Sequence, residues 1–450
     1  MMDIVALLQC LRPHVTATTL RQLSRITPAL LAITGRITML GLSRWTGTGG
    51  SYRTIQRFFS TVTPWAMLFW VFFRQHVYCP QDVYLLAGDE VVVTKAGKTT
   101  HGLDRFFSSL YGKPVPGLAF FTLSLVSVQA RRSFPLRVDQ VVRSEAEKAA
   151  SKAKATAKKS KALHAPRRRG RPPGSTNKPN THATLTPELT RIKAMIDALL
   201  HLIAHMVPLT YLVLDGHFGN HNALHMVRQA HLHLISKLRC DAALYLPYTG
   251  PSAGRGPRRK YGDKVQYEHI PVQYLQETTV ERHIQTQTYQ MQLLHKEFAQ
   301  PLNVVIIVKT NLRTQARAHV VLFSSDLVLT YTLLIDYYAL RFQLEFNFRD
   351  AKQYWGLEDF MNATPTGVTN AANLSLFMVN VAYHLRKIRH PCDPDYSVLD
   401  LKADYRGYKY VEETIQMLPE KPEPLLFAKI LNQVAGLGRI HAVQPSLSFS

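Results

Sequence analysis

Thirty residues from Tyr331 to Phe360, YTLLIDYYALRFQLEFNFRDAKQYWGLEDF, contain no proline, and no glycine before Gly356. Apolar residues recur among them every three to four positions, a spacing that predicts one long helix of roughly seven turns. With Tyr338 at zero and about 100° per residue, Arg341, Glu345 and Lys352 fall near 300°, 340° and 320°, so these four polar side chains share one narrow strip. Leu333, Tyr337, Leu340, Leu344 and Phe348 fall between about 200° and 280°, as an apolar seam beside it. A helix so divided suits docking on a sheet with one charged edge turned to a ligand. An Arg/Glu pair four residues apart is also common on solvated helices, where it contributes only about a few tenths of a kcal/mol.

The spacing of Tyr338, Arg341, Glu345 and Lys352 resembles the Y-x2-R-x3-E-x6-K signature of bacterial insertion-sequence transposases of the DDE type. The flanking FRDAKQYWGLEDF is similar to that family too. The resemblance implies an α/β, RNase H-like core, a mixed sheet flanked by helices. In such a core two aspartates from strands and Glu345 hold two divalent ions, Mg2+ or Mn2+. Tyr338, Arg341 and Lys352 would then meet DNA phosphates. The partners so implied are transposon terminal inverted repeats and target DNA, handled by a homodimer.

Two aspartates fit the remaining places. VYLLAGDEVVV is a β-rich run with Asp89 in its middle, and a carboxylate inside an apolar strand is costly to bury without a partner or a metal. Glu90 adjoins it, and one of the two must face outward. GDEVVVTKAGKTTHGLDRF resembles the first-aspartate block of the same transposases, with Thr94, Lys95 and Gly97 in order. In YLVLDGHFGN, Tyr211 to Leu214 read as a short buried strand and Asp215 stands at its C-terminal end, where ligand sites of α/β sheets lie. Aspartate before glycine also serves ordinary turns; DGHFGN resembles the second-aspartate block. His217 and Asn220 are possible neighbours of the site, in positions that more often cap or pack. Hard ions such as Mg2+ take carboxylate oxygens, and two of them about 3.5–4 Å apart suit phosphodiester transfer.

Charge points the same way. The 450-residue chain carries a formal net charge of +23, which favours a polyanionic partner. Residues 143–180 hold twelve Lys/Arg against Glu145 and Glu147; such a segment cannot bury a core and should be disordered when free. Within it Arg169, Gly170, Arg171 and Pro172 match the core of an AT-hook, an arginine pair for the narrow minor groove of A·T-rich DNA. Cys10, Cys79, Cys240 and Cys392 form no C-x-x-C pair, so neither a zinc ribbon nor a disulfide framework is indicated, and a reducing cytoplasm fits. The N-terminus lacks the basic and apolar regions of a signal peptide. The most apolar run, Trp65 to Phe73, is far shorter than the ~20 residues a membrane crossing takes.

In chain order, residues 1–78 read as a helical DNA-binding region with breaks at Pro13, Pro28, Gly47–Gly50 and Pro64. Within it ITMLGLSRWTG and SYRTIQRFFS resemble two short helices closely joined. Ser51 is placed to cap the second, leaving Tyr52, Arg53, Gln56 and Arg57 toward DNA. Residues 79–142 and 183–249 give the two parts of the core, separated by the basic insert 143–182. A β-rich insertion without tryptophan covers 250–328. Residues 329–390 supply the Glu345 helix and a closing apolar helix at 372–388, and 391–450 a C-terminal region with one helical segment at 409–434. The expected activity is cut-and-paste transposition. A transposase-derived DNA-binding protein that no longer cuts, and a nuclease of the same fold without strand transfer, are the alternatives.

Overall fold

Runs rich in Val, Leu and Phe between residues 84 and 141 become one antiparallel unit in the computed structural model, which describes residues 4–47, 49–108, 111–149, 153, 185–204, 206–251, 259–391, 393 and 395–441. Its strands are β1 (Tyr84–Thr94), β2 (Asp104–Ser108), β3 (Lys113–Ser127) and β4 (Arg132–Val141). β3 lies between β1 and β4, and β2 pairs with its first residues. Lys113 to Gly117 belong to β3 despite their two prolines. Pro114 and Pro116 are tolerated there because β1 reaches only to Gly117, leaving β2 as the sole strand alongside.

β5 (Tyr211–Val213) joins β1 in parallel, and β6 (His233–Leu238) joins β5 in parallel. The order β4-β3-β1-β5-β6 makes an open mixed sheet consistent with an RNase H-like core. The strands that follow extend this sheet: β12 (Arg317–Ser324) pairs with β6, β11 (Leu302–Asn311) with β12, and β10 (Ile284–His295) with β11. β9 (Leu275–Glu281) borders β10, and β7 (Leu244–Pro247) and β8 (Tyr261–Lys264) close that side.

The N-terminal residues form α1 (Ile4–Leu8), α2 (Ala17–Ala32), α3 (Met39–Trp45), α4 (Tyr52–Ser60) and α5 (Trp65–His76). Thr16, Thr38 and Ser51 cap α2, α3 and α4 through their side-chain oxygens. Pro28 does not break α2. It forfeits one backbone hydrogen bond, but Leu23, Ile26, Thr27, Ala29, Leu30 and Leu31 around it are all buried and hold the helix in place. α6 (Pro187–Ile203) and α7 (His221–Gln229) follow in the second half of the core.

The stretch from Tyr331 to Phe360 is not one helix. It divides into α8 (Tyr331–Leu340) and α9 (Gln343–Tyr354), and four backbone bonds around the break span three residues: Arg341 to Tyr338, Phe342 to Ala339, Leu344 to Arg341 and Glu345 to Phe342. α8 packs on β12, β6 and β11, whereas α9 packs on β1, β4 and α10 (Pro365–Arg389), so each half follows a different part of the sheet. Of the expected seam, Tyr337, Leu340, Leu344 and Phe348 are buried, but Leu334 replaces the exposed Leu333. After α10 the chain forms two helices, α11 (Val398–Gln416) and α12 (Pro424–Gly436), in place of a single segment at 409–434. Pro419, Pro422 and Pro424 between them forbid continuation.

The rings of His76 on α5 and His384 on α10 pack at a tilt with centroids 4.7 Å apart, and His384 Nδ1 lies 3.0 Å from the His76 carbonyl. Burial draws His384 from 6.5 down to about 4, and the facing His76 adds to the effect. The folded pKa lies below the unfolded one, so the contribution is whole above pH 6.5 and is lost as pH falls toward 4. Urea midpoints should therefore decline across that window, and His384→Gln should flatten the decline; an equal decline in the variant would assign it to other groups.

Candidate active site

β5 runs parallel to β1 with Leu86 beside Leu212 and Ala87 beside Val213. Asp89, still within β1, and Asp215, just past the end of β5, follow two residues further along, and so stand side by side. Gly88 permits the crowding: a Cβ there would stand 2.8 Å from the Phe121 ring and 3.0 Å from Leu214. β5 ends at Val213, and the free edge of β1 beyond Ala87 lets both Asp89 and Glu90 line the same opening. Asp215 also plays the capping role open to it, its Oδ1 accepting from His217 N at 3.1 Å. Its carbonyl accepts from Ser236 Oγ at 2.7 Å, which fixes it to β6.

Glu345 owes its setting to the break in the helix. It lies in the first turn of α9, where the helix dipole favours a carboxylate. Arg341, at the break itself, points back into the cleft: Nη1 donates to Asp89 Oδ2 at 2.5 Å and Nη2 to Glu345 Oε1 at 3.4 Å. Burial pushes Asp89 up to about 6, against the pull of Arg341 and of the Glu90 amide; Asp215 and Glu345 push it further in the same direction as burial. Tyr338 shares the electrostatic group, with a hydrogen bond to Arg341. Lys352 stands apart, donating to the Val92 carbonyl at 2.9 Å and pairing with Glu358 at 2.9 Å.

Asp89, Glu90, Asp215, Arg341, Glu345 and Lys352 line one cleft of about 940 Å³, together with Arg143 and Arg349. The structure thus brings Asp89, Asp215, Arg341, Glu345 and Lys352 to one place, with Tyr338 beside Arg341. Arg53 and Arg57 are exposed on α4, among the N-terminal helices. Arg169 and Arg171 lie outside the described residues. Glu188 was not legible as a site residue: it lines the cleft and pairs with His217 at 3.5 Å, each favouring the charged form of the other. Only its place in the first turn of α6 marks it, and many helices carry such a glutamate.

Three carboxylates, one within β1, one past the end of β5 and one at a helix start, are the hard oxygen donors that a divalent cation takes. The donor set therefore fits such an ion, and Asp215 and Glu345 add to the burial that pushes Asp89 up, against the pull of Arg341. Among the described residues, however, no three His, Cys, Asp or Glu side chains converge closely enough to hold a metal, and the Arg341 guanidinium bridges two of the candidates. No helix among them is long and apolar enough to cross a membrane.

No curated protein matches the chain. Residues 7–298 match the family model described as DDE superfamily endonuclease. That stretch contains Asp89 and Asp215 with the strands that carry them, while Glu345 lies beyond it. The mixed sheet, the neighbouring aspartates on β1 and after β5 and a match over more than half of the sequence agree: the chain belongs to the DDE superfamily endonucleases.

Proposed function

We propose that the chain is a DNA transposase that cuts at the ends of its element and joins them to target DNA, with Asp89, Asp215 and Glu345 as its metal ligands. The observation that carries the reading is that Asp89 and Asp215, each more than a hundred residues from Glu345 in sequence, meet Glu345, Arg341 and Lys352 around one cleft, with Tyr338 beside Arg341. Two divalent ions bound there would stabilise charge on the attacking and leaving oxygens of a phosphodiester. The protein's own part is positional. Arg143, Arg349 and Lys352 line the cleft walls, where cationic side chains hold a phosphate backbone in register. Incubating the protein with a plasmid that carries its gene and flanking DNA, in Mg2+, should give breaks with 3′-hydroxyl ends and then joined products. Cutting that persists in EDTA would overturn the reading, and cutting without joining would reduce it to a nuclease.

The proposal extends to DNA capture by α4. Ile55, Phe58 and Phe59 bury one face of this helix, which leaves Tyr52, Arg53, Gln56 and Arg57 exposed on the other. The basic insert with Arg169 and Arg171 would add a sequence-independent hold on phosphates. Replacing Arg53 and Arg57 together by Ala should weaken duplex binding roughly tenfold and lower the slope of log K against log salt by about two. An unchanged slope would remove α4 from the interface.

A further inference from the structure

Arg341 is poorly placed to hold DNA as it stands. Its side chain is 14% exposed, both Nη atoms point at carboxylates, and its buried Nε has no hydrogen-bond partner. An unsatisfied buried donor is costly, and a guanidinium satisfies itself best by a fork of two parallel bonds to one phosphate or carboxylate. In this position its bonds are divided among Asp89, the more distant Glu345 and Tyr338 instead.

We infer that Arg341 is an exchangeable internal cation: in the free protein its guanidinium holds the place between Asp89 and Glu345 that a divalent ion takes on loading, and loading releases it toward a DNA phosphate. The inference rests on the reading of the three carboxylates as metal ligands. Charge makes the exchange two-stepped. Three carboxylates against one guanidinium leave the cluster two charges short, so a first divalent ion brings it to neutrality. A second makes it positive and drives the guanidinium out. The released side chain carries its fork into the cleft shared with Arg143, Arg349 and Lys352. Metal and phosphate then bind with positive coupling, because each favours the same displaced Arg341.

Calorimetric titration of the DNA-free protein with Mn2+ tests this. Arg341→Gln, which removes the competing cation, should bind Mn2+ about tenfold more tightly than the unmodified protein, within the usual span of coupling between sites. Arg349→Gln removes a cation from the same cleft but outside the bridge, and should change the affinity less than about threefold. Equal affinities in the unmodified protein and Arg341→Gln, with binding lost in Glu345→Gln, would overturn the exchange and leave the ligand assignment standing. Absence of Mn2+ binding in all of these proteins would overturn the ligand assignment and the exchange together. Should Arg341→Gln fail to fold, a crystal of the unmodified protein soaked in Mn2+ decides: the guanidinium should have left hydrogen-bonding distance of Asp89. An ion bound there with Arg341 still bridging Asp89 and Glu345 would refute it.

Discussion

Asp89→Asn, Asp215→Asn and Glu345→Gln should each lower Mg2+-dependent DNA cleavage by on the order of a thousandfold or more, with duplex binding largely retained. Each substitution keeps the shape of the side chain and removes one negative charge from the cleft. The consequences in the metal-free protein differ. Asp89 and Glu345 both hold Arg341, so either change leaves the guanidinium with one anionic partner. Asp215→Asn leaves that bridge intact and alters only the local field. Cleavage of end-labelled duplex and gel-shift binding on the same preparations separate catalysis from capture. A variant that cuts at near-normal rate would lose its place among the ligands.

Asn370→Leu should destabilise the fold by about 3–5 kcal/mol, and the N-terminal helices should loosen from the sheet first. The Asn370 side chain is 1% exposed. Its Nδ2 reaches the carbonyls of Phe59 and Thr61 at 2.8 and 2.7 Å and that of Phe58 at 3.3 Å, and its Oδ1 accepts from the Trp65 indole at 2.7 Å. A leucine would fill the space but strand the last carbonyls of α4 and the indole N–H in a dry interior. Hydrogen exchange should show faster opening of α3, α4 and α5 while β3 stays protected. Uniform loss of protection across the sheet, or a cost below about 1 kcal/mol, would mean that Asn370 is not what joins the two parts.

The sequence by itself determined what depends on a few neighbouring residues. Asp89 within an apolar strand, Asp215 at the end of a short one and Ser51 as the cap of α4 were all legible. A strand's apolar run and a cap's oxygen act within one or two turns of chain. Asp215 was legible because strand ends are where such sheets expose polar groups, and Glu345 through the spacing of the polar residues around it. Asn370 gave no signal, since all its partners lie some three hundred residues away. Nor did the break after Leu340. Its residues have good helix propensity and no proline or glycine, and periodicity alone carries the helix through. Only the tertiary structure bends it, because α8 is held by β12, β6 and β11 while α9 is held by β1, β4 and α10, and one straight rod cannot lie against both. That bend puts Glu345 in a first turn and turns Arg341 inward onto Asp89.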